Sequence, residues 1–376
     1  MTHEAPEGWS QVKQGDVATF YNGRAYKKTE WEEAGTPVIR LQNLTGRGNK
    51  YYYSKLELPE HQYCDKGDLL YMWSATFGPH IWQNDKAIYH YHIWKVICDE
   101  SRLDRKFHYY LLGQKTKEWM SGANGMAMLH ITKGNMEKVE LHIPPLPEQK
   151  KIAEVLSSVD EAIAVTKAVI DQTKQVKKGL LQTLLTKGIG HTKFKQTELG
   201  EIPESWEYGN VSDFFMLQRG FDLTKKQAHD GDVPVISSSG FSYFHNTAQV
   251  HGPAVITGRK GKLGDVYYIE GPCWPHDTTL WVKDFKGNHP RFVFWFLLSM
   301  ELEKYDAATA VPTLNRNTVH PIKTIFPPLE EQIEISDKLD SLNSNFETSE
   351  AHLSQLQTLK SGLISDLLTG RKRVEV

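Results

Sequence analysis

The most constraining feature of this 376-residue sequence is an internal repeat. The segment PPLPEQKKIAEVLSSVD at residues 144–160 returns as PPLEEQIEISDKLDSLN at residues 327–343. The agreement continues without a gap through QVKKGLLQTLLTKG at residues 175–188 and TLKSGLISDLLTGR at residues 358–371. Self-similarity at so long a period marks a duplicated domain with its connector rather than a solenoid of short repeats.

The globular segment before each connector is also repeated, but more loosely. The first copy carries extra residues around positions 45–59. The matches are PEGW (6–9) with PESW (203–206), Gly23 with Gly220, TPVIRLQNL (36–44) with VPVISSSGF (233–241), and GDLLYMWSATFG (67–78) with GPAVITGRKGKLG (252–264). The connectors are therefore alike, whereas the globular parts have diverged.

Each connector is predicted to form one long helix. Opening prolines and a Glu-rich first turn suit a helix N-terminus, and Gly188 and Gly370 stand where a C-cap is expected. Apolar residues recur at alternating spacings of four and three, which is typical of a coiled-coil seam. About 40 residues per helix would span roughly 60 Å. Because the first helix leads into the second globular part and the second helix leaves it, the pair is predicted to be antiparallel, with pseudo-twofold symmetry.

Composition excludes several classes of protein. The hydrophobic fraction of 39% and charged fraction of 24% are ordinary for a globular protein. The N-terminus lacks the basic start and apolar run of a signal peptide, and no stretch approaches the length of a membrane span. The three cysteines are odd in number and far apart, which argues against a disulfide framework or a zinc site. We therefore expect a cytoplasmic protein with reduced thiols.

Two divergent domains held at a fixed separation suggest a reader of duplex DNA. Symmetric DNA-binding proteins place two reading elements at a distance set by protein geometry. Here both elements belong to one chain and differ in sequence, which predicts two unlike half-sites around an unread spacer.

The candidate DNA-binding residues combine cations for phosphates with side chains able to reach base edges, within Gly-containing loops. In the first domain they are Arg24, Lys27, Lys28, Arg40, Gln42, Asn43, Arg47, Lys50, Trp73 and Ser74, and in the second Arg219, Lys225, Lys226, Ser237, Ser238, Ser239, Arg259, Lys260 and Lys262.

These features resemble the specificity subunit of type I restriction-modification enzymes over essentially the whole chain. The resemblance rests on the doubled Pro-Pro-Leu-x-Glu-Gln helix start, on TAVPTLNRNTVHPIKTIFPPL at residues 309–329, and on the two globular segments. It implies an α+β fold in which two target recognition domains are joined by two long antiparallel helices. The implied boundaries are recognition domains at 1–145 and 189–328, a central helix at 146–188 and a C-terminal helix at 329–376.

The resemblance also implies partners. The helices would set the spacer length and dock two DNA-adenine methyltransferase subunits, and restriction and translocase subunits would complete the complex. The expected docking residues are Glu148, Gln149, Ile152, Glu331, Gln332 and Ile335. The chain itself would be non-catalytic, with S-adenosylmethionine, ATP and Mg²⁺ held by partners. Consistent with this, the sequence has no Walker motif, no Gly-rich turn typical of an S-adenosylmethionine site, and apolar residues on both sides of its Pro-Pro pairs.

Three alternatives remain open at this point. A coiled-coil scaffold that binds only proteins would account for the helices but not for the divergence of the two ends. Asp277, Asp284 and Lys286 loosely resemble the carboxylates and lysine of a metal-dependent nuclease. His90 and His92 could share one strand face as metal ligands, although no third ligand is evident.

Overall fold

The computed structural model of the protein describes residues 6–122, 131–306 and 311–375, and the chain divides into two compact units. Unit 1 contains the described residues up to Thr166 and those from His352 onward, and unit 2 runs from Lys167 to Ala351. Thr309 and Ala310, which belong to the family-like motif, lie outside the described residues. Each long helix contributes one segment to each unit.

Unit 1 is an α+β assembly. Its helices are α1 (Leu41–Leu44), α2 (Arg105–Gly122) and α3 (Lys133–Glu137), with 3-10 turns at Gln14–Asp16, Lys28–Glu30 and Glu60–Gln62. Its strands are β1 (Ser10–Lys13), β2 (Ala18–Asn22), β3 (Thr36–Ile39), β4 (Tyr52–Ser54), β5 (Tyr63–Cys64), β6 (Leu69–Ser74), β7 (Thr76–Ile81), β8 (Ala87–Tyr89), β9 (Ile93–Cys98) and β10 (Glu140–Ile143). They form a β1-β10 pair and two four-stranded sheets, ordered β2-β9-β6-β7 and β4-β3-β8-β5. Most pairs are antiparallel, and β3 and β8 are parallel.

Two long helices follow the two β-rich segments. They are α4 (Leu146–Lys187) and, at the end of the chain, α8 (Leu329–Leu367). Between them lie the remaining elements, which belong to unit 2. Its helices are α5 (Val211–Phe214), α6 (Pro290–Ser299) and α7 (Arg316–Val319), with 3-10 turns at Lys225–Gln227 and Leu302–Tyr305. Its strands are β11 (Phe194–Thr197), β12 (Gly200–Pro203), β13 (Glu207–Asn210), β14 (Met216–Arg219), β15 (Val233–Ser237), β16 (Gly240–His245), β17 (Ala254–Gly258), β18 (Val266–Ile269), β19 (Trp274–Pro275), β20 (Thr279–Asp284) and β21 (Lys323–Phe326).

Unit 2 repeats the sheet topology of unit 1. The pair β13-β21 corresponds to β1-β10, and the sheet β14-β20-β17-β18 corresponds to β2-β9-β6-β7. The sheet β16-β15-β19 corresponds to β4-β3-β8, including the parallel pair, and an isolated bridge between Val250 and Cys273 stands where β5 pairs with β8. The internal repeat predicted from the sequence is thus a repeat of fold.

The two long helices are antiparallel within each unit. In unit 2, Lys177 Nζ on α4 donates to Asn343 Oδ1 on α8 at 2.5 Å. In unit 1, Lys360 Nζ on α8 lies 2.5 Å from Asp160 Oδ1 on α4. The two lysines are equivalent in the repeat, as are their partners. The predicted fold class of two α+β domains joined by two long antiparallel helices is confirmed.

Each core combines the start of one long helix with the end of the other. In unit 1, Ile152 and Leu156 of α4 pack with Leu367 at the end of α8 against the sheet and α2. In unit 2, Ile335 and Leu339 of α8 pack with Leu184 and Leu185 near the end of α4. Each core therefore depends on residues of both long helices.

Gly23 and Gly220 lie at equivalent positions in the two units, where each glycine closely approaches the backbone of another loop. A Cβ at Gly23 would collide with the backbone oxygens of Tyr89 and His90, and one at Gly220 with those of Pro275 and His276. Each glycine lets the chain leaving β2 or β14 pass directly over the loop that follows β8 or β19. The glycine match in the sequence therefore marks where two loops meet.

A buried polar group lies in the core of unit 1. His108 on α2 is fully buried, with its Nε2 3.2 Å from Gln14 Oε1 and its Nδ1 3.3 Å from Cys98 Sγ. Burial lowers the pKa of His108 to about 3. The imidazole is thus neutral in the folded unit, whereas the unfolded chain would protonate it below about pH 6.5.

We predict that unit 1 loses stability as the pH falls below about 6.5, because the unfolded chain then binds a proton that the folded unit excludes. His108→Gln should reduce this loss by up to about 1.4 kcal/mol per pH unit between pH 6 and 4. Hydrogen exchange in α2, corrected for intrinsic rates, measures the change. His352→Gln, at an exposed position of α8, is the control. If the stability of unit 1 in His108→Gln depended on pH as it does in the wild type, His108 would not be the group that excludes the proton.

Candidate nucleic-acid interface

Three loops of unit 2 converge at one end of its sheets. They are residues 238–239 between β15 and β16, residues 259–265 between β17 and β18, and residues 276–278 between β19 and β20. The backbone N–H of Ser238 donates to Thr278 Oγ1 at 3.3 Å, and that of Arg259 donates to the Thr278 carbonyl at 2.8 Å. The fold therefore brings together side chains that are far apart in the sequence.

Charged side chains in these loops, and Arg219 at the end of β14 beside them, are partly paired. Arg219 Nη2 lies 2.6 Å from Asp222 Oδ1 and 3.1 Å from Asp277 Oδ2, and these carboxylates raise the pKa of Arg219. Arg259 Nη1 donates to the Asp277 carbonyl at 3.1 Å, which leaves other guanidinium N–H groups for a ligand.

The other residues of unit 2 that were predicted to bind DNA differ in exposure and in their contacts. Lys225, Lys226, Ser239 and Lys260 are exposed. Lys262 pairs with Asp265, with Nζ 2.5 Å from Oδ2. Ser237 Oγ donates to the Gly240 carbonyl at 3.1 Å, and Ser238 is buried, so these two side chains shape the turn.

The equivalent region of unit 1 is built on aromatic rings. Trp31 stacks on Tyr26 with ring centroids 4.8 Å apart and lies 4.7 Å from Tyr52. The guanidinium of Arg40 lies 5.3 Å from the centre of the Tyr52 ring, and the ammonium of Lys50 lies 5.5 Å from it. The cluster is a group of partly exposed aromatic rings edged by two cations.

His90 and His92 extend this aromatic cluster. Their rings are 5.3 Å apart, and the His90 ring lies 6.3 Å from Trp31. Burial, His92 and Arg40 lower the pKa of His90 to about 4, so its imidazole is neutral at physiological pH. Among the described residues, no group of three or more His, Cys, Asp or Glu side chains could hold a metal ion. The two histidines form part of a ring cluster.

Several residues predicted to bind DNA in unit 1 have structural contacts instead. Trp73 is only 8% exposed and Ser74 is buried, so both belong to the packed interior. Asn43 Nδ2 donates to the carbonyls of Gly48 and Lys50, at 3.2 and 3.1 Å, and thereby shapes the loop between β3 and β4. Arg24 is paired with Glu30.

The remaining candidates of unit 1 lie at or near its surface. Lys27, Lys28, Arg47 and Lys50 are exposed, and Arg40 and Gln42 are half-buried. Gln42, Asn43, Arg47 and Lys50 all lie in the long connection between β3 and β4, whose counterpart in unit 2 is the short turn at residues 238–239. The extra residues found in the first copy therefore enlarge one of the converging loops.

Equivalent backbone positions carry different chemistry in the two units. The N–H of Trp73 donates to the His92 carbonyl, as that of Arg259 donates to the Thr278 carbonyl. This pairing aligns Trp73 with Arg259 and the exposed Tyr91 with Asp277. Sequence reasoning missed Tyr91 and Thr278, although following the repeat to the residues after β8 and β19 would have found both.

The predicted nuclease residues do not form a site. Asp277 lies before β20, whereas Asp284 ends that strand, so the extended chain places them roughly 20 Å apart. Asp284 Oδ1 accepts the N–H of Lys286 at 2.8 Å, and Lys286 Nζ donates to the Ser212 carbonyl at 2.6 Å. These contacts make a turn.

The glutamines of the two repeated helix starts join each long helix to its own domain. Gln149 is fully buried, accepts the N–H of Asp104 at 2.8 Å and donates to the carbonyls of Arg102 and Pro144, both at 2.9 Å. Gln332 likewise accepts the N–H of His289 at 2.8 Å and donates to the Pro327 carbonyl at 2.8 Å and to Asn288 Oδ1 at 2.6 Å. Each amide links the start of a long helix to the residue just before α2 or α6.

The neighbouring glutamates join each helix start to the chain that follows the other helix. Glu148 forms a two-point contact with Arg373, at 2.5 and 2.6 Å. Glu331 accepts from His191 Nε2 at 2.8 Å and from Trp206 Nε1 at 2.9 Å. His191 follows α4 and Arg373 follows α8, so the two contacts are counterparts.

The residues predicted to dock partners therefore have contacts within this chain. Glu148, Gln149, Ile152, Gln332 and Ile335 are buried, and Glu331 is largely covered. Their side chains connect each long helix to its domain. We call the contacts of Glu148 and Gln149, and those of Glu331 and Gln332, the two joints of the fold. Partner docking, if it uses α4 and α8, must use their exposed faces.

We predict that Gln332→Ala lowers the free energy of unfolding of unit 2 by about 1 to 3 kcal/mol, because buried backbone groups lose their partners. The matched control is Gln182→Ala, at an exposed position of α4, which should change stability little. Urea unfolding combined with hydrogen exchange in α6 measures both variants. If the two substitutions changed the free energy of unfolding equally, Gln332 would not have the structural role described here.

Comparison with known proteins agrees with this architecture. Residues 6–175 and 203–358 match the type I restriction modification DNA specificity domain. The specificity subunit of the type I restriction enzyme MjaVIII from Methanocaldococcus jannaschii is 27% identical over 98% of this chain and 94% of that protein. The EcoBI specificity subunit from Escherichia coli is 23% identical over 98% of this chain and 86% of that protein. The crystal structure of an S subunit from M. genitalium has a TM-score of 0.64 at 15% identity and covers 96% of each chain, which shows a shared fold.

The chain therefore belongs to the type I restriction-modification DNA specificity family, and it is the non-catalytic DNA-recognition subunit of such a complex. The predicted family and the predicted role as a DNA specificity subunit are confirmed, and neither the scaffold nor the nuclease alternative gains support. Within the described part of the chain, no helix is both long enough and apolar enough to span a membrane.

Proposed function

We propose that each unit reads one half of a bipartite, non-palindromic site in double-stranded DNA through its converging loops. The observation that carries the proposal is that one sheet topology carries unlike loops in the two units: the exposed Tyr91 stands where unit 2 has Asp277, and a long β3–β4 connection stands where unit 2 has a short turn. Shared strands with unlike loop chemistry suit two readers of different sequences. Selection of bound duplexes from a random pool, by the chain assembled with its methyltransferase, tests the proposal.

Contacts in each unit would divide by chemistry. The exposed lysines, such as Lys27, Lys28, Lys225 and Lys226, suit phosphates, which position a protein without reading sequence. Arg40 and Arg259 are held at the loops by an aromatic ring and a carbonyl, respectively. A guanidinium so placed suits the two acceptors on the major-groove edge of guanine. The phosphate contacts would make affinity fall with salt.

The remaining chemistry would belong to partners in the cytoplasm. Two methyltransferase subunits would dock on exposed faces of α4 and α8, and restriction and translocase subunits would join them. These partners would hold S-adenosylmethionine, ATP and Mg²⁺. Docking on the helices is supported by Gln149 and Gln332, which fix the start of each long helix to the residue just before α2 or α6 of its own unit.

We predict that Arg259→Ala relaxes one half-site and weakens binding by about 1 to 3 kcal/mol, because a base contact is lost. Arg40→Ala should relax the other half-site only, so each variant is the control for the other. Selection from random duplexes followed by titration measures both effects. If both substitutions altered the same half-site, or if neither altered any, the assignment of one unit to each half would be wrong.

We predict that adding one heptad to both long helices, after Thr173 and after Leu356, changes the spacer and not the half-sites. Seven residues add about 10 Å to a helix and keep its seam in register. At about 3.4 Å per base pair, the preferred spacer should lengthen by roughly three base pairs. Random-duplex selection with the lengthened chain measures this. Altered half-sites with an unchanged spacer would contradict the division of labour.

A further inference from the structure

Strand β16 carries two large apolar rings at the surface of unit 2. Phe241 is 58% exposed and Phe244 is 53% exposed. Their ring centroids are 4.8 Å apart, so they form one patch, the phenylalanine pair. The strand is at the edge of the sheet β16-β15-β19. Two adjacent and largely exposed apolar rings at a sheet edge are typical of a binding site.

A β-bulge brings the two rings together. Side chains alternate between the faces of a regular strand, so residues 241 and 244 would point to opposite faces. The pairing of β15 with β16 shifts between Val235 and Ile236, which leaves Ser242 as an extra residue. The bulge thereby re-aims Phe241 toward the side of Phe244. The neighbouring Tyr243 packs on the sheet with Val235, Leu223 and Trp274.

The hairpin that carries the pair is part of the converging loops. Its turn contacts two of them, since the Ser238 N–H donates to Thr278 Oγ1 at 3.3 Å and Tyr267 donates to the Ser238 carbonyl at 3.3 Å. Tyr267 lies on β18, next to the loop that carries Arg259, Lys260 and Lys262. A Cβ at Gly261 would lie 3.7 Å from Ser238 Oγ, so the turn that precedes the phenylalanine pair lies against the loop that carries these cations.

The equivalent hairpin of unit 1, which lies within the described residues, does not present such a pair. The residues aligned with Tyr243 and Phe244 by the pairing of β4 with β3 are Tyr52 and Tyr53. Both tyrosines are half-buried, and Tyr52 packs beside Trp31. Exposed apolar rings at this hairpin are thus a property of unit 2, one of the ways in which the two readers differ.

We propose that the phenylalanine pair inserts at a base step of the DNA that unit 2 reads. Apolar side chains next to cationic groups are the means by which many proteins wedge between base pairs, partly unstacking the step and bending the duplex. Phenyl rings cannot hydrogen-bond to base edges, so the pair would select a deformable step rather than a particular base. This proposal rests on the proposed DNA reading by unit 2.

The test uses the full chain assembled with its methyltransferase and the half-site assigned through Arg259→Ala. Single mismatches are placed at each step of that half-site, away from the methylated adenine. A mismatch at the wedged step should tighten binding roughly tenfold, because part of the unstacking cost is already met. Phe241→Ala with Phe244→Ala should abolish that gain and leave the selected half-site bases unchanged. Phe194→Ala, another exposed phenylalanine of unit 2, is the matched control and should retain the gain.

The outcomes separate this proposal from the function on which it rests. If the wild-type complex selects no bipartite site, the proposed function fails first. If it selects one, but the double variant keeps the mismatch gain, the wedge is wrong. Loss of methyltransferase assembly in the double variant, with DNA behaviour otherwise intact, would show that the pair docks a protein and would also overturn the proposal.

Discussion

The rest of the structure depends on the joint between each long helix and its domain. A buried amide, Gln149 or Gln332, bonds to backbone at the start of its own helix and to the residue just before α2 or α6. A neighbouring glutamate then holds the chain that follows the opposite helix. A buried donor or acceptor that loses its partner destabilises the folded state, so these hydrogen bonds hold each joint in a single geometry. A helix and the loops of its domain consequently belong to one packed unit.

This joint explains why one part of the repeat is faithful and another is not. The Glu and Gln of each copy of the motif Pro-Pro-Leu-x-Glu-Gln have contacts within the chain, so substitution there disturbs folding. The loops that follow β3, β6 and β8, and their counterparts, contribute few core residues and can differ. Tyr91 and Asp277 occupy equivalent positions in these loops yet have different chemistry. A recognition fold can therefore vary its loops while the strands and joints stay the same.

The sequence was sufficient to predict the two helices, their antiparallel pairing and the doubled domain, because periodic apolar residues and a long repeat report directly on packing. The sequence was insufficient to predict the buried contacts of Glu148 and Gln149. A polar residue in the first turn of a helix is expected to be exposed until its buried partners are known. Trp73 failed as a site residue for a similar reason: an aromatic residue beside a loop can face either the core or the solvent. The exposure of Phe241 depends on a bulge, and nothing in the spacing of the sequence marks one.

The proposed function requires that one chain combine two unlike readers in a single recognition subunit. Modification-sensitive sequencing of chromosomal DNA, from a host with and without this gene and its methyltransferase, tests this requirement. We expect a methylated motif that depends on the gene and consists of two different half-sites separated by unread bases. A palindrome, a single uninterrupted motif, or the absence of any motif that depends on the gene would contradict it.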